Sequence, residues 1–391
     1  MKITIICKYP IPLGMAATTR IMSYAKGLVE EGEKVEVWSC IPTGDFGGCN
    51  ESEGYRDGIR FLYTYKRKRS SLKIKRVFDH FIAFFLLPFR FLSEYKKEKI
   101  DVVILSSDSI FLQLLITVLC RTKKVKTIFI FDEFPYPIRG KLRTHLPYFK
   151  KKAYSVSLKL FDGYISMTNN LLDFYQGICN HPGIVVSTIT DLTRFTKTNE
   201  KTPVLKDSLS LVYMGNMELS KDNVDNIIRS FPEVLKNFNA HLYLYGRPSR
   251  SDKKILNDLI EELDLSKSVT FNYAHPDDVS KILVSADILL SSQPDTKRAM
   301  GGFPTKLGEY LMSGTPVLLT DVGETSKYFI DGKDMFFARP NSPSDYAEKI
   351  IYIKNNYEYA LEVANNGRNK IITMYSHTKA GIDIKKFINN L

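Results

Sequence analysis

The stretch GGFPTKLGEYLMSGTPVLLT (301–320) decides how this chain is read. Its paired glycines, Gly301 and Gly302, let backbone approach a ligand closely. Pro304 and Thr305 start a short helix over 305–312, and Gly314 stops it before the apolar run TPVLLTD (315–321). Loop, helix and buried strand follow one another, and the same alternation continues outward. LSLVYMG (209–215), AHLYLYG (240–246), SVTFNY (268–273) and ADILLSS (286–292) read as strands, with helical patterns over 223–238, 253–263 and 278–284 between them. Nearer the N-terminus, KITIIC (2–7), KVEVWSC (34–40), VVILSS (102–107), TIFIFD (127–132) and GYISMT (163–168) form a second series, with a crossover helix over 19–30. Strand–helix–strand repeated twice predicts an α/β chain of two parallel-sheet domains. The polar segment KTNEKTPVLKDSL (197–209) reads as the linker.

Composition narrows the function classes. A chain of 391 residues, 44% apolar and 25% charged, is folded and too long for one ordinary core. Its five cysteines include no C-x-x-C pair, which predicts reduced thiols and neither a disulfide framework nor a zinc site. The six histidines show no metal spacing, and each reads as structural, His275 following the strand at 268–273. The N-terminal apolar run is too short for a signal peptide and reads as a first strand. The net charge of +12 is confined to residues 1–200, which hold 31 Lys+Arg against 19 Asp+Glu, while the rest is balanced. That half is expected to face something anionic: nucleic acid, a lipid surface or a phosphorylated substrate.

Within it, KRKRSSLKIKR (66–76) carries seven basic residues in eleven, directly before VFDHFIAFFLLPFRFL (77–92). The apolar part is too short and interrupted to span a bilayer. It reads either as a helix lying in a lipid interface beside a cationic collar, or as a buried crossover helix with a solvated basic entry loop. The run IFLQLLITVLC (110–120) has no collar and is expected in the core. The basic run lacks interleaved stacking aromatics, so nucleic acid is not the expected partner.

Candidate chemistry gathers in two places. The start of the 305–312 helix offers free N–H groups and partial positive charge to phosphate. Lys306 adds a full charge there, and Glu309, about one turn in, is placed to accept hydrogen bonds from a sugar diol. Taken alone, this is equally a plain loop and crossover helix with a solvated Glu309. In FDEFPYPIRGK (131–141), Asp132 and Glu133 follow a strand at its carboxyl end. There they either orient an acceptor and help its proton away or cap a helix and bridge to Arg139.

The same stretch, GFPTKLGEYLMSGTPVLLTD (302–321), resembles the donor-site signature of family 4 glycosyltransferases, the retaining nucleotide-sugar enzymes of the GT-B fold. LVYMGNMELSKDNVDNIIRSF (211–231), LYLYGRPS (242–249), VTFNYAHPDDVSKILVSADILLSSQP (269–294) and DVGETSKYFIDGKDMFFARP (321–340) are similar to its later blocks, in order. PIPLGMAATTR (10–20), DGYISMTNNLLDFY (162–175) and STITDLTRF (187–195) resemble parts of its N-terminal domain. The resemblance implies two Rossmann-like domains facing each other across a cleft. These are an acceptor-binding domain at 1–200, a nucleotide-sugar-binding domain at 201–375, and a C-terminal helix at 376–391 returning to the first domain.

By position, the resemblance assigns Glu309 to the nucleotide ribose and Lys221 to the diphosphate leaving group, aided by Lys306 or Arg247. Gly302, Phe303, Pro304 and Thr305 would hold phosphates and sugar, and Gly14 would close over them. Asn216 and Tyr273 would complete the donor site. Two departures stand out: Gly301 occupies the place of the family's first glutamate, and Asn216 that of a common arginine. The chain contains no Asp-x-Asp, so no metal or other cofactor is expected. The expected activity is that of a hexosyltransferase-type enzyme (EC 2.4), retaining, moving sugar from a UDP- or GDP-linked donor to a lipid-linked or cell-surface glycan precursor. Its expected place is cytoplasmic, peripheral at the inner face of the cell membrane. The alternatives are a GT-B sugar-nucleotide epimerase and a non-enzymatic binder of anionic ligands or nucleic acid.

Overall fold

The computed structural model describes residues 1–14, 16–44, 49–139, 145–187, 189–195 and 208–391. The chain divides into two compact units: Met1–Ile189 with Ser376–Leu391, and Thr190–Tyr375.

In the first unit, β1 (Lys2–Cys7), α1 (Ala16–Glu30), β2 (Lys34–Ser39), β3 (Glu53–Arg56) and β4 (Ile59–Tyr63) lead into the long α2 (Lys73–Lys97). Then come β5 (Val102–Ser106), α3 (Ile110–Thr122), β6 (Lys126–Phe131) and α4 (Tyr136–Arg139). They are followed by α5 (Tyr148–Leu158), β7 (Gly163–Ser166), α6 (Asn169–Gln176) and β8 (Gly183–Val185). The strands make one sheet in the order β3-β4-β2-β1-β5-β6-β7-β8, parallel except for the β3–β4 pair. Ile5 of β1 stands opposite Val37 on one side and Ile104 on the other. Every residue of β1 and β5 is buried, which is why both read as unbroken apolar runs and not as an alternation. The order in which strands are added reverses at β1. Right-handed crossovers therefore put α1 on one face of the sheet and α2, α3 and α5 on the other.

The second unit starts with a 3₁₀ turn, Leu192–Phe195, then β9 (Leu209–Met214), α7 (Leu219–Asp222), α8 (Val224–Asn237), β10 (Ala240–Tyr245) and α9 (Arg250–Glu262). It continues through β11 (Val269–Asn272), α10 (Val279–Ser285), β12 (Ile288–Ser291), α11 (Lys297–Gly301), α12 (Thr305–Met312) and β13 (Val317–Thr320). It ends with α13 (Thr325–Tyr328), β14 (Phe336–Ala338), α14 (Pro343–Asn355) and α15 (Tyr357–Met374). Its sheet runs β11-β10-β9-β12-β13-β14, all parallel. Leu211, Tyr213, Ile227, Phe231, Leu242 and Leu290 belong to its core. Both units are thus parallel-sheet, Rossmann-like α/β domains.

The last helix, α16 (His377–Asn390), packs in the first unit against α1. The two helices meet at Gly27 and Gly381, where a Cβ on Gly381 would lie 2.2 Å from the carbonyl carbon of Gly27. Only glycine permits that approach. Ile384, Phe387 and Ile388 complete the core containing Ile3, Ile5 and Tyr24.

The structure departs from the sequence expectations at several points. The division falls at 189/190, ahead of the boundary at 200. Thr190 N–H donates to Tyr375 O, and Arg194 pairs with Glu309, so both belong to the second unit. Most of the expected linker, 197–207, lies outside the described residues. The β3–β4 hairpin was not among the expected strands. Its turn residues Asp57 and Gly58 both have positive φ, 52° and 75°, as a tight hairpin turn requires. The run 110–120 is not simply core: α3 buries Leu112 and Ile116 but exposes Phe111 and Val118. Of the basic run, Arg67 turns inward and donates to Ile11 O at 2.7 Å, and Lys66 is held by Asp79 at 2.6 Å. Among the described residues no helix is long and apolar enough to cross a membrane.

Candidate active site

In open α/β sheets, ligands bind beyond the carboxyl ends of the strands, where strand order reverses. In the second unit that reversal lies between β9 and β12. The chain beyond β9 passes through Gly215, exposed Asn216 and Met217 (φ 54°) into α7, which carries Lys221. The α11–α12 turn reaches the same place. Tyr310 of α12 receives a hydrogen bond from Met214 N–H at 2.7 Å, which ties α12 to the end of β9. Lys306, on the first turn of α12, lies 3.2 Å from Asp222 and 4.1 Å from the ring centroid of Tyr213. Arg298 of α11 donates to Glu218 at 2.6 Å, a second tie between the two turns.

The electrostatics follow from burial. Loss of water lowers the Lys306 ammonium below its usual range, against the pull of Asp222. Burial acts to raise Asp222, but Lys306 and then Lys221 hold it below the usual carboxylate range. Lys306 therefore enters the site matched by a carboxylate on which Lys221 also acts. The hydrogen bond from Arg298 holds Glu218 low as well.

Glu309 lies one turn into α12 with its side chain 21% exposed, ion-paired to Arg194. Burial raises its carboxyl above the usual range, Arg194 opposes this, and Asp191 adds to it. Gly301 ends α11, and Gly302 N–H donates to Ala299 O at 3.1 Å. Phe303 is buried edge-on against Tyr328, 5.7 Å between centroids, and Pro304 precedes the first helical residue. The side chain of Thr305 lies outside the described set. Arg247, just past β10, stacks over Tyr273, just past β11, at 4.0 Å. His275 accepts from Asp277 N–H at 3.4 Å and so serves locally as a cap.

In the first unit the reversal lies between β1 and β5. Lys8, after β1, and Asp108, after β5, pair there at 2.6 Å, and Asp108 also meets Arg139 at 3.2 Å. Asp132 lies 3.3 Å from Arg20 and accepts from Ser106 Oγ at 3.4 Å. Burial pushes its carboxyl up, opposed by Arg20. Glu133 pairs with Arg139 at 2.7 Å. Gly14 lies against the start of α1, where an added Cβ would fall 2.0 Å from Thr18 Oγ1.

The second unit thus brings Asn216, Lys221, Lys306 and the 301–304 turn to one strand edge, with Glu309 one turn along α12. Sequence reasoning missed Arg194, Asp222 and the Glu218–Arg298 pair. Asp222 had a signal, since it directly follows Lys221, but Arg194 had none, because its partner lies far along the chain.

Residues 195–370, nearly all of this second unit, match the family model described as Glycosyl transferases group 1. They form a glycosyl transferases group 1 domain. No curated protein matches the chain. Solved structures do. A sucrose-phosphate synthase from Thermosynechococcus elongatus matches with a TM-score of 0.76 at 12% identity, covering 100% of this chain and 98% of that one. The Anabaena protein HepE, in complex with UDP and glucose, matches at 0.71 and 12%, covering 100% of each. The apo lipopolysaccharide outer core galactosyltransferase WaaB matches at 0.65 and 13%, covering 100% and 99%. The group 1 domain and the unit that precedes it together have the GT-B fold.

Proposed function

We propose that the chain is a retaining family 4 glycosyltransferase that moves a sugar from a nucleoside-diphosphate sugar to a hydroxyl of a lipid-linked glycan precursor. One observation carries the reading. Within a group 1 domain, the N-terminus of α12, Lys221 and Lys306 meet at the strand-order reversal, with Glu309 one turn away. Cleaving a glycosyl phosphate bond builds negative charge on the departing diphosphate. Pre-placed cations and a helix N-terminus stabilise that charge, and removing one such donor commonly costs ~3 kcal/mol. Lys221 and Lys306, both of which act on Asp222, are the cations assigned to that charge. Asn216, Gly301, Gly302, Phe303, Pro304 and Thr305 line the phosphate and sugar side, and Arg247 with Tyr273 flank the base side. Glu309 accepts the ribose hydroxyls.

The first unit takes the acceptor, with Asp132 and Glu133 at its strand edge and Gly14 at the start of α1. The lipid-linked acceptor is supported by the excess positive charge of residues 1–200 and by the 66–92 segment. It places the enzyme at the inner face of a membrane. With no Asp-x-Asp in the sequence, protein cations and not a divalent metal are assigned to the leaving group.

A thermal-shift panel of UDP, GDP and their sugars tests the donor site, beginning with UDP because the similar HepE binds it. A ligand at 100 times its Kd stabilises by ~2.7 kcal/mol. Glu309→Ala and Lys221→Ala should each abolish the shift given by the best donor. A full shift in either variant would mean that the pocket lies elsewhere. Sugar released or rearranged from a labelled donor without any acceptor would point to an epimerase instead.

A further inference from the structure

We propose that the outer face of α2, α3 and α5 is a docking surface for an anionic lipid bilayer, with aromatic side chains entering the interface and lysines and arginines holding the rim. This deepens the lipid-linked acceptor reading and rests on it only for what the bilayer delivers; the surface itself stands on exposure and charge.

α2 is about 37 Å long at the usual helical rise. It buries Asp79, Ala83, Leu87, Phe91 and Glu94 at three- and four-residue spacing. The opposite side carries Phe78, Phe81, Phe85 and Phe89, which are 59% to 69% exposed. A soluble surface tolerates scattered apolar groups, but a continuous aromatic stripe marks an interaction site. The stripe does not stop at α2. Phe84 meets Phe111 of α3 at 6.0 Å, and Phe111 and Val118 are exposed in turn. α5, which packs on α3, exposes Tyr148 and Phe149. All three helices lie on one face of the sheet.

Charge selects the occupant. Lys68, Arg69, Lys73 and Lys75 are exposed where the chain enters α2, and Lys151 and Lys152 are exposed on α5. The two carboxylates of α2 lie on its buried side, where Asp79 pairs with Lys66 and Glu94 with Arg60. The sequences of α3 and α5 contain no acidic residue. Among the described residues, α2, α3 and α5 thus present an aromatic and basic outer face with no carboxylate of their own on it. A second copy of the chain would set this cationic rim against itself. An anionic headgroup layer with an acyl interior beneath it matches both components. The N-terminal half of α2 also flanks the carboxyl ends of the strands, the edge that carries Asp132 and Glu133, so a lipid-linked acceptor would arrive beside them.

The test is cosedimentation of the full chain with vesicles of phosphatidylglycerol and phosphatidylcholine, against phosphatidylcholine alone, with analytical ultracentrifugation in parallel. Binding is expected only to the anionic vesicles. The Phe81→Ser/Phe85→Ser double variant should weaken it about 100-fold, at roughly tenfold for each phenylalanine withdrawn. Lys73→Glu/Lys75→Glu should weaken it at least ~10-fold. These positions are exposed, so the melting temperature and the UDP-induced shift should both stay at their parental values. Three outcomes would overturn the proposal. They are no binding to either vesicle, binding that both variants retain, and a dimer that ignores vesicles and dissociates on Phe81→Ser/Phe85→Ser. Lost vesicle binding with an intact nucleotide shift would leave the donor site standing, and the reverse result would remove the donor site alone.

Discussion

Replacing Arg194 with Gln removes the cation that faces Glu309. Breaking a fully buried pair costs about 3–5 kcal/mol. Here the two side chains are 29% and 21% exposed, so solvent screens part of that loss, and about 1–2 kcal/mol is expected. Without Arg194, the Glu309 carboxyl should be displaced further upward. Burial already places that carboxyl above its usual range, with Arg194 pulling down and Asp191 pushing up. A carboxyl whose folded pKa exceeds its unfolded one contributes stability below the unfolded pKa and loses it as pH rises through the folded value. The variant's deficit should therefore be small at pH 5 and fully developed at pH 8, as roughly 2–8 °C in the melting of the second unit. Differential scanning calorimetry across that range reads it directly. The affinity for UDP should show the same carboxyl from the other side, falling toward pH 5 more steeply in the variant than in the parent. A deficit that is flat with pH, or that grows toward acid, would refute the assignment of the pair.

Lys306→Met should destabilise the second unit by about 3 kcal/mol in urea unfolding, because it leaves the 7%-exposed side chain of Asp222 without its cation; a loss below about 1 kcal/mol would mean that Lys221 compensates. Gly381→Val should undock α16, since even a Cβ there collides with the backbone of Gly27, and limited proteolysis should then cut between 376 and 391 while the second unit stays resistant. Burial pushes the Cys7 thiol up to about 12 and raises Cys40 and Cys120 further. A thiol reagent at pH 8 should therefore label only the half-buried Cys49 and Cys179 in the native chain, and all five cysteines after unfolding.

The fold was legible wherever a single physical signal was strong. β1 coincides with its apolar run, and α12 with its Pro start and Gly stop. Strands that both faces of a sheet bury cannot be written in anything but apolar residues, so such runs announce themselves. The β3–β4 pair was harder because its partners are mixed: β3, EGYR, lies at the sheet edge with most of its side chains in solvent. Only the Asp57-Gly58 turn marked it. At the site, Lys306 and Glu309 could be placed from helix geometry alone. Their partners could not, since Asp222 and Arg194 reach them through tertiary folding across 84 and 115 residues. The inward turn of Arg67 within a run of surface cations was hidden for the same reason: composition records how many charges a segment holds, not which of them finds a buried carbonyl.

The docking of α16 on α1 sets an order of assembly. On the ribosome, the first unit emerges with a gap where Ile384, Phe387 and Ile388 must sit, and the second unit, synthesised in between, can close its own core before those residues exist. The domain made first is therefore finished last, and a stop codon that spares the whole second unit would still leave the first one open.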